Sequence, residues 1–146
     1  MSRSFRFLAL VAAVPAALAL APAPASRPEA SAPISDPAAV ARGRYLTHDV
    51  AMCVQCHSPR DEKGEIQRGD EFRGAPIPLA SPFHGLPWAI RAPNLRGLEG
   101  FSDEMILRLL REGIAHTGAA PQSPMPPFRM TQEDAKAIVA YLRSLR

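Results

Sequence analysis

The chain has 146 residues, enough for one domain with a modest core. Aromatics are only 6% and prolines number 16, which excludes a core filled by aromatic bulk and argues for long irregular segments. Setting Arg3 and Arg6 aside with the N-terminal segment leaves 15 of the 17 basic residues against 14 acidic ones, and without a basic stripe interleaved with aromatics nucleic-acid binding has no support.

Residues 1–6 carry those two arginines, and residues 7–21 are an apolar run interrupted only by Pro15. Ala23-Pro24-Ala25 then offers a small-residue cleavage site before Ser26. This is the layout of a secretory signal peptide over residues 1–25, and it predicts a periplasmic or secreted protein. An uncleaved anchor is the alternative, although the run is short for a full bilayer span. Residues 26–35 are rich in Pro, Ala and Ser without apolar periodicity and read as a linker. The folded domain is expected over 36–146, with no internal repeat and no later apolar stretch able to cross a bilayer.

A first helix is expected from Asp36, with Pro37 in the first turn where its missing N–H does no harm. Val40, Gly43, Leu46 and Val50 recur on one face. Gly43 costs a helix about 1 kcal/mol relative to Ala. Close approach of another helix would explain it, and an ordinary surface glycine is the alternative.

Cys53-Val54-Gln55-Cys56-His57 follows. Two thiols three positions apart, with an imidazole directly after the second, form the attachment signature of a c-type haem. Each thiol can add to one porphyrin vinyl group, and His57 is carried under the ring as the proximal ligand to iron. A structural zinc site needs four ligands, usually several of them cysteine, and the chain has only these two. A thioredoxin-like pair would sit between a strand and a helix, and a plain disulfide would leave His57 unexplained. A buried porphyrin would also make up for the scarce aromatics, and attachment outside the cytoplasm agrees with an export signal.

From Ser58 to Ala92 periodicity is lost among prolines and glycines such as Gly64, Gly69, Gly74 and Gly85. The segment reads as a long loop with a short hairpin at most, a length that calls for a function such as wrapping a haem edge. Trp88 and Arg91 are its candidate donors to a haem propionate, with simple packing the alternative for Trp88. Ser102-Asp103-Glu104 reads as the start of a second long helix, with Met105, Ile106, Leu109 and Leu110 as its apolar stripe and Gly113 as its stop. Thr131 caps the last helix, with Asp134 three residues on. Ala135, Ile138, Val139, Leu142 and Leu145 form its buried face, and Arg143 and Arg146 complement its negative end.

A second axial ligand separates an electron carrier from a gas-binding or catalytic centre. Candidates are Met125, Met130, His48, His84 and His116. Met125 is favoured because Pro124, Pro126 and Pro127 stiffen the backbone around it. Met130 directly precedes the Thr131 cap and has a competing use as a hydrophobic staple on Ala135.

In their order, CVQCH, Pro93-Asn94-Leu95, Met125 in its proline strap and Ala140-Tyr141-Leu142 make residues 36–146 resemble the class I monohaem cytochromes c. The resemblance implies an all-α cytochrome c fold: N- and C-terminal helices crossing near Gly43 and Tyr141, one covalent haem c with its iron, and a long irregular haem-wrapping loop. It also implies that the Pro93 carbonyl accepts a hydrogen bond from His57 Nδ1, which fixes the imidazole and raises its basicity. Gly74-Ala75-Pro76-Ile77-Pro78 and Met125-Pro126 are similar to the haem-surrounding loops of the cytochrome domains of membrane-associated alcohol and sugar dehydrogenases. Those domains usually continue after Asn-Leu with Thr-Pro-Asp and often occur several to a chain, whereas here Arg96-Gly97 follows and there is one haem motif. The expected function is one-electron transfer with redox protein partners such as a dehydrogenase, oxidase or reductase, not catalysis by the chain itself. The alternatives are a cytochrome subunit of a membrane-associated dehydrogenase complex and a five-coordinate haem sensor or catalyst.

Overall fold

The computed structural model describes residues 36–145; the expected signal segment 1–25 and linker 26–35 lie outside the described residues. Among the described residues four α-helices make up most of the regular structure: α1 (Pro37–Tyr45), α2 (Cys53–His57), α3 (Asp103–Glu112) and α4 (Gln132–Ser144). A two-residue antiparallel pair, β1 (Ala75–Pro76) and β2 (Arg91–Ala92), joins Ala75 to Ala92 and Pro76 to Arg91. Among the described residues no helix is long and apolar enough to cross a membrane.

α1 starts as its sequence dictates, with Pro37 at the first helical position and the Asp36 carboxylate accepting the Ala38 N–H at 3.0 Å. It then widens into a π-helical turn, Leu46–Val50, where the Ala51 N–H donates to the Leu46 carbonyl at 2.8 Å. Side chains compete for the carbonyls at the junction. The Thr47 hydroxyl donates to the Gly43 carbonyl at 2.9 Å, and His48 Nδ1 lies 2.9 Å from the Arg44 carbonyl. The wider turn shifts the phase of the helix. Val50, expected on the inner face, is therefore 53% exposed, while Leu46 and Thr47 are buried.

α4 is the centre of the domain. The Thr131 hydroxyl caps it by accepting the Asp134 N–H at 3.1 Å. Every residue from Ala137 to Leu142 is buried, a wider band than the stripe of an amphipathic helix. The reason is that α4 packs against α1 and also against α3. At the α1 crossing a Cβ on Gly43 would collide with the Ala137 carbonyl and lie 2.7 Å from Tyr141 Cβ. Gly43 is thus the close-approach residue, and Ala137 supplies the small partner surface. α3 is capped by Ser102, whose hydroxyl accepts the Met105 N–H at 3.2 Å, and it ends on Gly113 in the left-handed region. Ile106 and Leu110 carry its buried face, with Met105 half-buried.

The segment after α2 is more tightly tied than its composition suggests. Arg60 and Ile66 form a bridge, and inside it the Asp61 carboxylate accepts the N–H groups of Lys63 and Glu65, both at 2.9 Å. The β1–β2 pair continues for one further bond, from the Ile77 N–H to the Ile90 carbonyl at 3.0 Å. What stays irregular is the excursion between residues 77 and 90.

Candidate haem-binding site

α2 presents the five motif residues on a single short helix, entered from Met52 in a left-handed conformation (φ 53°). Cys53 and Cys56 are free thiols, one helical turn apart and half-buried. Burial pushes the Cys53 thiol up to about 11. It therefore stays protonated at neutral pH, the opposite of the acidified thiolate that a disulfide-exchange motif requires.

His57 is buried, and the burial holds its imidazole below the ordinary histidine range, in the neutral form that can ligate a metal. Its Nδ1–H donates to the Pro93 carbonyl at 2.9 Å. That bond fixes the tautomer and leaves Nε2 as the free lone pair. Nε2 has no protein partner among the described residues, and since no buried polar side-chain atom there lacks a partner, it opens onto accessible space.

The donor set fits a haem. Among the described residues no three His, Cys, Asp or Glu side chains converge on one point, so a bare ion has no cage. A porphyrin brings four nitrogens of its own and needs only one or two axial ligands from the protein. Two thiols on one helix face and an imidazole with a free Nε2 meet that requirement.

The other sequence candidates separate by environment. Met125 is half-buried but is not packed into the core, whereas Met130 packs on it and donates its N–H to the Leu110 carbonyl at 3.0 Å. The Met125 N–H donates to the Gln122 carbonyl at 3.2 Å. The strap is tied to the irregular excursion through the Ala89 N–H and the Ser123 carbonyl at 2.7 Å. His48 is built into an aromatic cluster, its ring edge-on to Phe72 and Tyr141 with centroids 5.3 and 5.7 Å away. His84 and His116 are exposed. Trp88 donates its indole N–H to the Leu79 carbonyl at 2.9 Å and so braces the excursion across its width. Arg91, on β2, is exposed and has no side-chain partner among the described residues.

Two residues of this region escape sequence reasoning. Phe72 is fully buried with φ 67°, a left-handed conformation for which its sequence gives no cue. Ser58, directly after the motif, is 1% exposed and accepts the Phe72 N–H at 3.0 Å. A buried serine beside a haem motif is a signal only once its burial is known.

Among relatives, the chain is 33% identical over 116 residues to the fructose dehydrogenase cytochrome subunit of Gluconobacter japonicus, a match covering 71% of this chain and 21% of that protein. It is 28% identical over 113 residues to a nicotinate dehydrogenase subunit of Pseudomonas putida, covering 71% of this chain and 9% of that protein. The chain thus spans about a fifth of the first relative's length and under a tenth of the second's. The sequence profile of the cytochrome c family matches residues 40–146, a stretch that takes in the thiol pair, His57 with its Pro93 partner and all of α3 and α4, and on that match the chain belongs to the cytochrome c family.

Proposed function

We infer that this chain is a one-electron carrier of the cell envelope, with Cys53 and Cys56 as thioether anchors, His57 as proximal ligand and Met125 as distal ligand. As a member of the cytochrome c family it carries a covalent haem c with iron. The bound haem supplies a ferric/ferrous couple that takes up and gives back single electrons. The observation that carries the reading is the His57 Nδ1–Pro93 carbonyl bond at 2.9 Å, which orients a neutral imidazole with its other nitrogen free. Met125 is the distal choice because its proline strap keeps the thioether off the core, while Met130 is already used in packing. Arg91 is the donor that remains for a propionate. Trp88 serves by bracing the loop around the haem edge, its N–H being held by Leu79.

The similarity to the cytochrome subunit of a fructose dehydrogenase supports a finer reading, in which the chain accepts electrons from a membrane-associated dehydrogenase and passes them to a further redox protein. The apolar run at residues 7–21 supports export to the periplasm, where such a partner would meet it.

Absorption spectroscopy tests the ligand set. Met125→Ala should abolish the methionine–ferric charge-transfer band and let carbon monoxide bind fast to the ferrous protein. Met130→Ala should do neither and cost only helix stability. Loss of the band in Met130→Ala with its survival in Met125→Ala would move the ligand by five positions. Absence of the band already in the unsubstituted protein, with the iron still six-coordinate, would point to His84 or His116, and fast carbon monoxide binding by the untreated protein would make it a five-coordinate sensor or catalyst.

A further inference from the structure

The Pro93 carbonyl is 36 residues from His57 in the chain, and something must hold the two at hydrogen-bond distance. The residues that do so lie in a third segment, Phe72-Arg73-Gly74. On one side this segment is fastened to the end of α2. The Gly74 N–H donates to the His57 carbonyl at 2.7 Å, and the Phe72 N–H donates to the Ser58 hydroxyl at 3.0 Å. On the other side it is fastened to the carbonyl-bearing segment. The Phe72 carbonyl accepts the N–H groups of Leu95 at 2.7 Å and Arg96 at 3.2 Å, and Ala75 pairs with Ala92. Between the two, Gly74 (φ 76°) leaves no room: a Cβ there would lie 2.8 Å from the Ala92 oxygen, the Asn94 nitrogen and the Pro93 carbonyl carbon.

We propose that Phe72, Gly74 and the buried Ser58 hydroxyl form a positioning clamp that sets the His57–Pro93 hydrogen bond and, through it, the reduction potential. The proposal rests on His57 being the proximal ligand. The chemistry is direct. A short bond to the Pro93 carbonyl draws the Nδ1 proton away from the ring, makes Nε2 a stronger donor and so favours ferric iron. Phe72 holds a conformation unfavourable for a residue with a side chain, and its full burial in the core keeps it there. Neither Ser58 nor Gly74 needs to touch the haem for the clamp to act.

Two substitutions perturb the clamp from opposite ends and should act with the same sign. Ser58→Ala leaves the buried Phe72 N–H without its acceptor and loosens the α2 side. Gly74→Ala drives a Cβ against the Pro93 and Asn94 backbone. Both should lengthen the His57–Pro93 bond, raise the reduction potential of the holoprotein and move the His57 Nδ1–H proton resonance of the diamagnetic ferrous protein upfield. Ser58→Thr, which keeps the hydroxyl, should restore both readouts toward wild type. Leu110→Ala, which removes buried side-chain volume on α3 but none of the clamp's hydrogen bonds, should lower the melting temperature and leave potential and resonance where they were. If one clamp variant fails to assemble, the other carries the test alone. A potential and a resonance no further displaced than in Leu110→Ala would overturn the clamp. An absent His57 signature in the wild-type protein would instead overturn the ligand assignment.

Discussion

At Gly43 the local and tertiary preferences of one residue pull in opposite directions. Within an isolated helix, alanine is better than glycine by about 1 kcal/mol because glycine loses more backbone freedom on folding. At the α1–α4 crossing, the added Cβ would meet Ala137 backbone, with the carbonyl carbon 2.6 Å away, and backbone cannot swing aside as a flexible side chain can. Overpacking of this kind costs about 1–3 kcal/mol and outweighs the propensity gain. Gly43→Ala should therefore lower the guanidinium midpoint of the holoprotein. A raised midpoint would mean that the two helices stand further apart than this crossing requires.

Among the elements, the junction of α4 with the start of α3 depends on Arg143. Its charge does complement the end of α4, but its guanidinium does much more. It donates to the Asp103 carboxylate at 2.8 Å and to the carbonyls of Gly97 at 2.7 Å, Leu98 at 3.1 Å and Phe101 at 2.7 Å. These acceptors lie on the short 3-10 turn Arg96–Leu98 and the approach to α3, so one planar fork gathers three segments. A lysine keeps the charge but has three donors on one atom and cannot span that spread. Arg143→Lys should cost about 1–3 kcal/mol through carbonyls left without a donor, read as a lower unfolding midpoint at unchanged visible spectrum. A loss within the noise of an exposed ion pair would show that the fork is dispensable.

For the whole molecule, stability should depend on the haem. The central helix buries Ala135, Ala137 and Ala140 alongside its larger residues, and among the described residues the fully buried large side chains are few, led by Phe72, Leu98 and Ile138. A core this light, in a chain with so much irregular backbone, loses much of its apolar contact when the porphyrin is withheld. Cys53→Ala with Cys56→Ala should give a protease-sensitive chain without cooperative melting. A double variant that melts cooperatively without haem, at native helical content, would show that the polypeptide core suffices.

The motif CVQCH, the caps at Asp36, Ser102 and Thr131 and the stop at Gly113 were all legible by themselves, because each is decided within four or five residues by covalent spacing or by one side chain meeting one backbone group. Gly43 was legible only as a choice between close approach and an ordinary surface glycine, and the packing of α1 on Ala137 and Tyr141 of α4 decides for close approach. Local pattern misplaced Val50, which the π-helical turn carries outward, and it reduced Arg143 to a helix-end charge. It also gave no sign that Phe72 adopts a left-handed backbone, that Ser58 is buried or that the Trp88 N–H belongs to Leu79. Those outcomes depend on partners 9 to 46 residues away, as with Trp88 and Leu79 or Arg143 and Gly97. A side chain's hydrogen-bond choice is settled by which distant carbonyl the closed fold sets before it, and only the tertiary structure makes that choice.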